Sequence, residues 1–580
     1  MTEPVASDAS EAGATGASAP APADPEKSAA PAPRAARPDG PWTVAFVFGF
    51  GLLAVLILLT FRDYGITYDE PLQAVYGEHI LAWYRSAFQD RDVLSYRDLE
   101  YYGGFFDAIA QAAWRLSPFG QYETRHLVNA LFGMAGVVAA WRLALLLAGP
   151  RAGFLAGLFL AVTPAWYGHA FNNPKDVPFA VLFLITLWLI LETLHRLPRV
   201  PWHLMAGLGV AAGLTLAVRF GGVLLFGYLA LSWLAWYVWQ WRAGARPRGA
   251  ILPGVLRLGA AFAIAWAVML PWWPAALVRP FTHPLRTLAE LSNFDWNYNV
   301  FFDGRQIPAT ELPWTYLPKW VLLTMPEFVL LGLVAAAAFA ARALLLRPAA
   351  RPTATPDTPG AATPAARGVR VIQWGTLVFA FVFPAAFAIL SGAVLYDGLR
   401  HFLFAVPLLA IIAAAGVDRL FDAGVVARRA TAVVVAGLIG LTAVDMVRLH
   451  PHQYVWFNRV VAGGIGKASR SYETDYWGNA YKEAVEWIDA RYGSMVLERP
   501  IRVASCSQRL GTEYYLRPER FRYVGPNGDP ELFLGSHRFG CVDRMEGRVV
   551  HEVGRMGATF VVIKEVGGFG RDNGNGAGGE

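Results

Sequence analysis

Apolar and polar positions alternate along this chain in long apolar runs divided by short polar breaks. Runs at roughly 43–61, 126–148, 152–169, 177–195, 203–218, 221–241, 252–273, 319–346, 371–394, 401–417 and 430–448 approach or exceed the about 18–20 residues that cross a bilayer. The pattern predicts eleven transmembrane helices, with the weakest break at Arg219-Phe220-Gly221-Gly222. After the first run, Leu72, Val75, Tyr76, Ile80, Trp83 and Ala87 recur at helical spacing, with Gln73, Glu78 and Arg85 between them. That spacing predicts an amphipathic helix over 70–88 that lies on the bilayer rather than crossing it. A second amphipathic piece is expected at about 104–117. Beyond 450 the pattern changes: helical spacing marks 480–491, and strand-like runs occupy 501–506 and 559–564. The expected fold class is mainly α, a polytopic membrane protein with a small C-terminal α/β domain over 451–566.

Composition narrows the function classes. Of 580 residues, 55% are apolar and only 16% charged, which excludes a single soluble globule. Residues 1–40, rich in Ala, Pro, Ser and Gly, are expected to be a disordered cytoplasmic tail, and 567–580 a second disordered tail. The net charge of +6 is carried largely in short loops, which points to membrane topology and away from nucleic acid. The first apolar run starts too deep for a signal peptide and is followed by Arg62 and Asp63, so it is expected to remain as a span with the N-terminus in the cytoplasm. Alternate connections then each carry arginine: Arg151, Arg196 with Arg199, the stretch 241–248, a linker over 347–370, and 418–429. The remaining connections, 62–125, 169–176, around 219, 274–318 and 395–400, fall on the outer face, as does everything after 450. In an oxidising outer compartment Cys506 and Cys541 would pair; two buried free thiols are the expectation for the inverted topology.

The unusual polar residues all sit in those outer segments. Asp69 and Glu70 follow the first span; with Pro71 they also satisfy ordinary helix-start chemistry. His169, Asn173, Lys175 and Asp176 share one tight turn, more than a turn requires, although Asp176 also suits a helix cap. Arg219 ends its span, where snorkelling to headgroups is an alternative. Asp397, Arg400 and His401 form another short turn, and cations at a helix start fit the helix dipole poorly unless an anion is held there. The aromatics of 274–318 suit interfacial anchoring or stacking on a sugar. Cations at a membrane surface suit the phosphate of a lipid carrier. A carboxylate beside them suits proton abstraction from a hydroxyl. Together they describe group transfer from a lipid phosphate at the outer leaflet. A transporter or flippase would show internal repeats and mid-span charges instead. A polysaccharide ligase or polymerase shares the lipid-linked donor.

Here the chain resembles the GT-C membrane glycosyltransferases, in the branch of protein O-mannosyltransferases and the aminoarabinose transferase of lipid A. Tyr68-Asp69-Glu70 resembles the branch's first-loop acidic motif, and Asn173-Pro174-Lys175-Asp176 its second acidic position. Arg400-His401 with Pro407 resembles an Arg-Tyr…Pro element, with His in place of Tyr. The stretches 450–458 and 473–478 look like those of uncharacterised bacterial members, and no role follows for them. The resemblance implies a sugar donor on a polyprenyl phosphate, inversion by single displacement, and a plasma-membrane enzyme of a bacterium working on the periplasmic face. It implies Asp69 as general base, Glu70 as the residue that orients or tunes it, Lys175, Arg219 and Arg400 on the leaving phosphate, and Asp176 on the sugar or on Lys175. His169, Asn173, Asp397 and His401 complete the expected donor-binding set. The superfamily also admits a divalent metal at Asp69 and Asp176, although no metal-ligand spacing of His or Cys is present. The sugar and the acceptor are not named by the sequence.

Overall fold

The structure, a computed structural model, describes residues 40–245, 247–292, 296–346, 364–496 and 499–567. The two expected tails and most of the 347–370 linker lie outside the described residues.

Helix α1 (Pro41–Thr60) starts with a proline and buries only Phe46, Leu53 and Ile57. Its other apolar side chains, among them Val44, Phe48, Leu52 and Leu59, are exposed, a surface that suits lipid. The two amphipathic helices follow as α2 (Glu70–Arg85) and α3 (Phe105–Trp114). They pack closely: a side chain at Gly77 would meet the Asp107 carbonyl oxygen at 2.5 Å. Then come α4 (Gln121–Ala148), α5 (Pro150–Ala161) and α6 (Pro164–Asn172), the last two bent by 61° where Pro164 cannot continue the helix. Helix α7 (Asp176–Leu194) is the most buried of the long apolar helices among the described residues and forms the centre of the bundle. Around it run α8 (Trp202–Leu216), α9 (Leu224–Arg242) and α10 (Ile251–Met269). Short helices α11 (Pro274–Val278) and α12 (Thr282–Ser292) lead to a hairpin of β1 (Asn299–Phe302) and β2 (Arg305–Pro308), then to α13 (Tyr316–Thr324). The bundle closes with α14 (Glu327–Leu345), α15 (Pro364–Leu390), α16 (Ala405–Phe421) and α17 (Val425–Leu449). Gly416 of α16 lies against the Gly332 carbonyl of α14, so these two helices meet backbone to backbone, as small residues permit in membranes.

All eleven expected runs are helical, but the count of spans changes. Among the described residues eight helices are long and apolar enough to cross a membrane, or nine if the bent α5–α6 pair is one span. The other two are α8, of 15 residues, and α16, of 17. At 1.5 Å per residue they reach about 22 and 25 Å, short of the about 30 Å hydrocarbon core. The run expected to start at 319 is broken at Pro326, so its span begins at Glu327.

After α17 the chain folds back over one end of the bundle. Helices α18 (Ile465–Ala468) and α19 (Tyr481–Tyr492) precede a five-stranded sheet: β3 (Ile501–Ser505), β4 (Phe521–Tyr523), β5 (Leu532–Ser536), β6 (Arg548–Arg555) and β7 (Ala558–Glu565), with α20 (Arg509–Glu513) between β3 and β4. Strand order is β4-β3-β5-β7-β6, parallel on one side and antiparallel on the other. The β6–β7 hairpin turns through Met556 and Gly557, both at positive φ as a two-residue turn demands. Cys506 and Cys541 are disulfide-bonded, with Cα atoms 5.6 Å apart. This region shares one apolar core with the helices; Tyr454, Trp477 and Tyr481 are buried together with bundle residues such as Trp320 and Phe171.

Candidate active site

The charged residues converge where α8 ends and α2, α7 and α16 begin. Locally, each is placed by helix-end chemistry. Asn173 Oδ1 accepts the Asp176 backbone N–H at 2.9 Å, and Asn173 Nδ2 donates to Asp176 Oδ2 at 3.0 Å. Those two bonds hold the Asp176 carboxylate in the first turn of α7, where the positive end of the helix dipole favours it. Asp69 stands at the N-cap of α2, its backbone carbonyl accepting the Gln73 N–H at 3.1 Å. In the turn before α16, Asp397 sits at φ 57°, a conformation aspartate tolerates, and Gly398 follows at 63°. The Gly398 N–H donates to the Tyr316 hydroxyl at 3.1 Å, which fixes the turn that presents Arg400.

Arg400 is the hub. Its Nη1 lies 3.5 Å from Asp69 Oδ2 and 3.6 Å from Asp176 Oδ2, and its Nη2 3.0 Å from Asp397 Oδ2. The guanidinium is 4.8 Å from the centre of the Trp477 ring. Arg219 pairs with the other oxygen of Asp176. Lys175 rests 3.9 Å over the Tyr102 ring, with Arg219 on the same ring at 5.9 Å. Asp176 and Asp397 are almost fully enclosed, whereas the Asp69 side chain is 32% exposed. His401 stands edge-on to Tyr396, 4.5 Å between ring centres.

His169 and Glu70 are placed otherwise. His169 is buried, its Nε2 3.0 Å from the Tyr476 hydroxyl and its Nδ1 3.3 Å from Asn173 Nδ2. It supports Asn173 from beneath. Glu70 does not face Arg400. Its carboxylate accepts the Thr67 N–H at 2.8 Å and the Thr67 hydroxyl at 3.1 Å, and its other oxygen lies 3.0 Å from His126 Nε2. The contacts of Glu70 thus run to Thr67 and His126, where the sequence led to an expected role beside Asp69: successive residues of a helix point about 100° apart, and Glu70 takes the inward direction.

Three contributors had no signal strong enough to single them out. Tyr102 lies beneath two cations. Trp477 Nε1 donates to Asp397 Oδ2 at 3.0 Å. Arg538, from the turn after β5, pairs with Asp397 Oδ1. Trp477 belongs to the 473–478 stretch for which the resemblance implied no role. A cleft of about 450 Å³ adjoins Arg538 and is lined by Glu473, Tyr472, Tyr476 and Phe539. Burial pushes the Glu473 carboxyl up to about 7 against the opposing charge of Arg538, and Glu473 Oε2 is buried without a hydrogen-bond partner. The residues present do not fit a divalent metal at Asp69 and Asp176: both carboxylates already face one guanidinium, and among the described residues no group of three His, Cys, Asp or Glu could hold an ion.

Residues 107–272 match the family model described as dolichyl-phosphate-mannose-protein mannosyltransferase. The match bears out the resemblance to the GT-C glycosyltransferases read from the motifs. It spans α3 to α10 and so includes Lys175, Asp176 and Arg219; Asp69, Arg400 and Arg538 lie outside it. No curated protein matches the chain. Among solved structures, ArnT from Cupriavidus metallidurans in the apo state aligns with 14% identity and a TM-score of 0.46, over 90% of this chain and 98% of that one. The same protein bound to undecaprenyl phosphate aligns with 16% identity and a TM-score of 0.47, over the same shares. The oligosaccharyltransferase AglB from Archaeoglobus fulgidus, in complex with an inhibitory peptide and a dolichol-phosphate, aligns with 12% identity and a TM-score of 0.46, over 84% of this chain and 64% of that one.

Proposed function

We propose that the protein is an inverting membrane glycosyltransferase that moves a sugar from a polyprenyl-phosphate donor to an acceptor hydroxyl on the outer face of a bacterial plasma membrane. The observation that carries this reading is the gathering of Asp69, Asp176, Arg219 and Arg400, from four distant segments, at one end of an apolar bundle. Ionisable groups so placed are costly unless function retains them.

Asp69 is the accessible carboxylate and takes the proton of the acceptor hydroxyl as its oxygen attacks the anomeric carbon. The bond from that carbon to the phosphate oxygen breaks, and its electron pair leaves with the phosphate. Arg400 and Lys175 stabilise the charge that develops there. Arg219 and Asn173 hold Asp176, which orients the sugar. The sheet region lies on the same face as the site. Glu70 is assigned to the fold rather than to the reaction.

The test is release of polyprenyl phosphate by purified protein from a panel of synthetic polyprenyl-phosphate sugars, beside Asp69→Asn and with and without chelator. Release by the wild type alone supports the reading and identifies the sugar. No release from any donor, with membrane extract supplying acceptors, sinks it and favours lipid transport, which flux into liposomes would then measure.

A further inference from the structure

Asp397 is shared between two arginines from different parts of the chain. Arg400 approaches from the helix bundle and Arg538 from the turn Arg538–Arg544 that follows β5. The pair is enclosed: the Arg538 side chain is 7% exposed. The same guanidinium lies 5.5 Å from the Tyr68 ring, next to the proposed base Asp69. Three residues beyond Arg538, Cys541 is bonded to Cys506 at the end of β3, so the turn is tied covalently to the sheet.

Charge balance gives this contact a consequence. Three carboxylates, Asp69, Asp176 and Asp397, meet three guanidiniums, Arg219, Arg400 and Arg538. Arg219 serves Asp176 and Arg538 serves Asp397. Arg400 is then the one guanidinium of the three that reaches Asp69, and its Nη1 faces the gap between Asp69 and Asp176. Without Arg538, Arg400 would be the one cation left to Asp397, beside the neutral Trp477 N–H. The centre would carry one more negative charge in a setting that water screens weakly, and an anionic donor would be repelled.

We propose that Arg538 is a positioning residue: the C-terminal sheet completes the site by neutralising Asp397, which keeps Arg400 available to the donor phosphate. This inference rests on the glycosyltransferase reading.

The experiment is steady-state transfer from the polyprenyl-phosphate sugar that the wild type uses. It compares wild type, Arg538→Ala, Arg538→Gln and the double variant Arg538→Ala with Asp397→Asn. The single variants are expected to raise the donor KM about tenfold, the effect of about 1.4 kcal/mol, with kcat changed less than about threefold. The double variant is expected to regain most of the lost donor affinity, because the charge that captured Arg400 is gone. A structural role alone would lower the melting temperature of the single variants and recover it in the double variant while leaving the donor KM unmoved. Arg538→Gln fills the space of the side chain and carries the test if Arg538→Ala fails to fold. A wild-type donor KM in the single variants, or no recovery in the double variant, overturns the proposal. A wild type that transfers from no donor sinks the glycosyltransferase reading instead, so the two failures are distinct.

Discussion

Asp69 Oδ2 lies 3.5 Å from Arg400 Nη1, beyond hydrogen-bond range but within ion-pair range. The carboxylate is thus held near a cation without being consumed by it. Asp69→Asn is expected to lower turnover by at least about 100-fold, the usual worth of a positioned base. Its melting temperature should stay near that of the wild type, since a long, partly exposed pair contributes about 0–1 kcal/mol. Near-normal turnover in the purified variant would remove Asp69 from the role of base.

Glu70 gives the opposite expectation from the adjacent position. Its side chain is 1% exposed and holds the Thr67 N–H, the Thr67 hydroxyl and His126. Glu70→Gln is expected to cost about 1–3 kcal/mol of stability while kcat stays within a few-fold of the wild type. Thermal melting and turnover measured on the same preparation decide it; a large fall in kcat without a fall in melting temperature would return Glu70 to the chemistry.

Arg400 reaches three carboxylates, which a single ammonium cannot span. Arg400→Lys is expected to fold and to raise the donor KM about tenfold or more. Arg400→Ala leaves the carboxylates without their common cation and is expected to cost about 3–5 kcal/mol as well. Donor titrations and melting curves of the two variants separate these effects, and an unchanged donor affinity in both would exclude Arg400 from phosphate binding.

Glu473 supplies a pH dependence. Burial raises its carboxyl from an ordinary 4.5 to about 7. Between roughly these values the native state keeps a proton that the unfolded chain has released, so stability falls as pH rises across the window and then levels off. Glu473→Gln is expected to flatten that slope and to melt above the wild type at pH 8, with the two proteins converging near pH 4.5. Melting temperatures from pH 4.5 to 8 check this; parallel curves for both proteins would refute it.

The sequence by itself determined what depends on local order. Apolar runs against about 20 residues of bilayer predicted the long helices of the bundle, though not the breaks within 152–169 and 319–346; the 3.6-residue period predicted α2 and α3, and Asp176 suited a helix start that the structure retains. Arginine in alternate loops predicted which helix ends share a face, and the ion pairs joining Asp176, Arg219 and Arg400 agree. Only the tertiary structure decided the rest. Whether α8 and α16 are long enough to span depends on where Pro201 and the turn at 400–402 start them, not on hydropathy. Asp69 and Glu70 carry the same chemistry one residue apart, and only packing shows that one faces Arg400 while the other turns to His126. The pairing of Asp397 with Arg538 spans 141 residues. A contact at that separation leaves no periodicity in either segment, because it is made by the folding of the sheet onto the bundle.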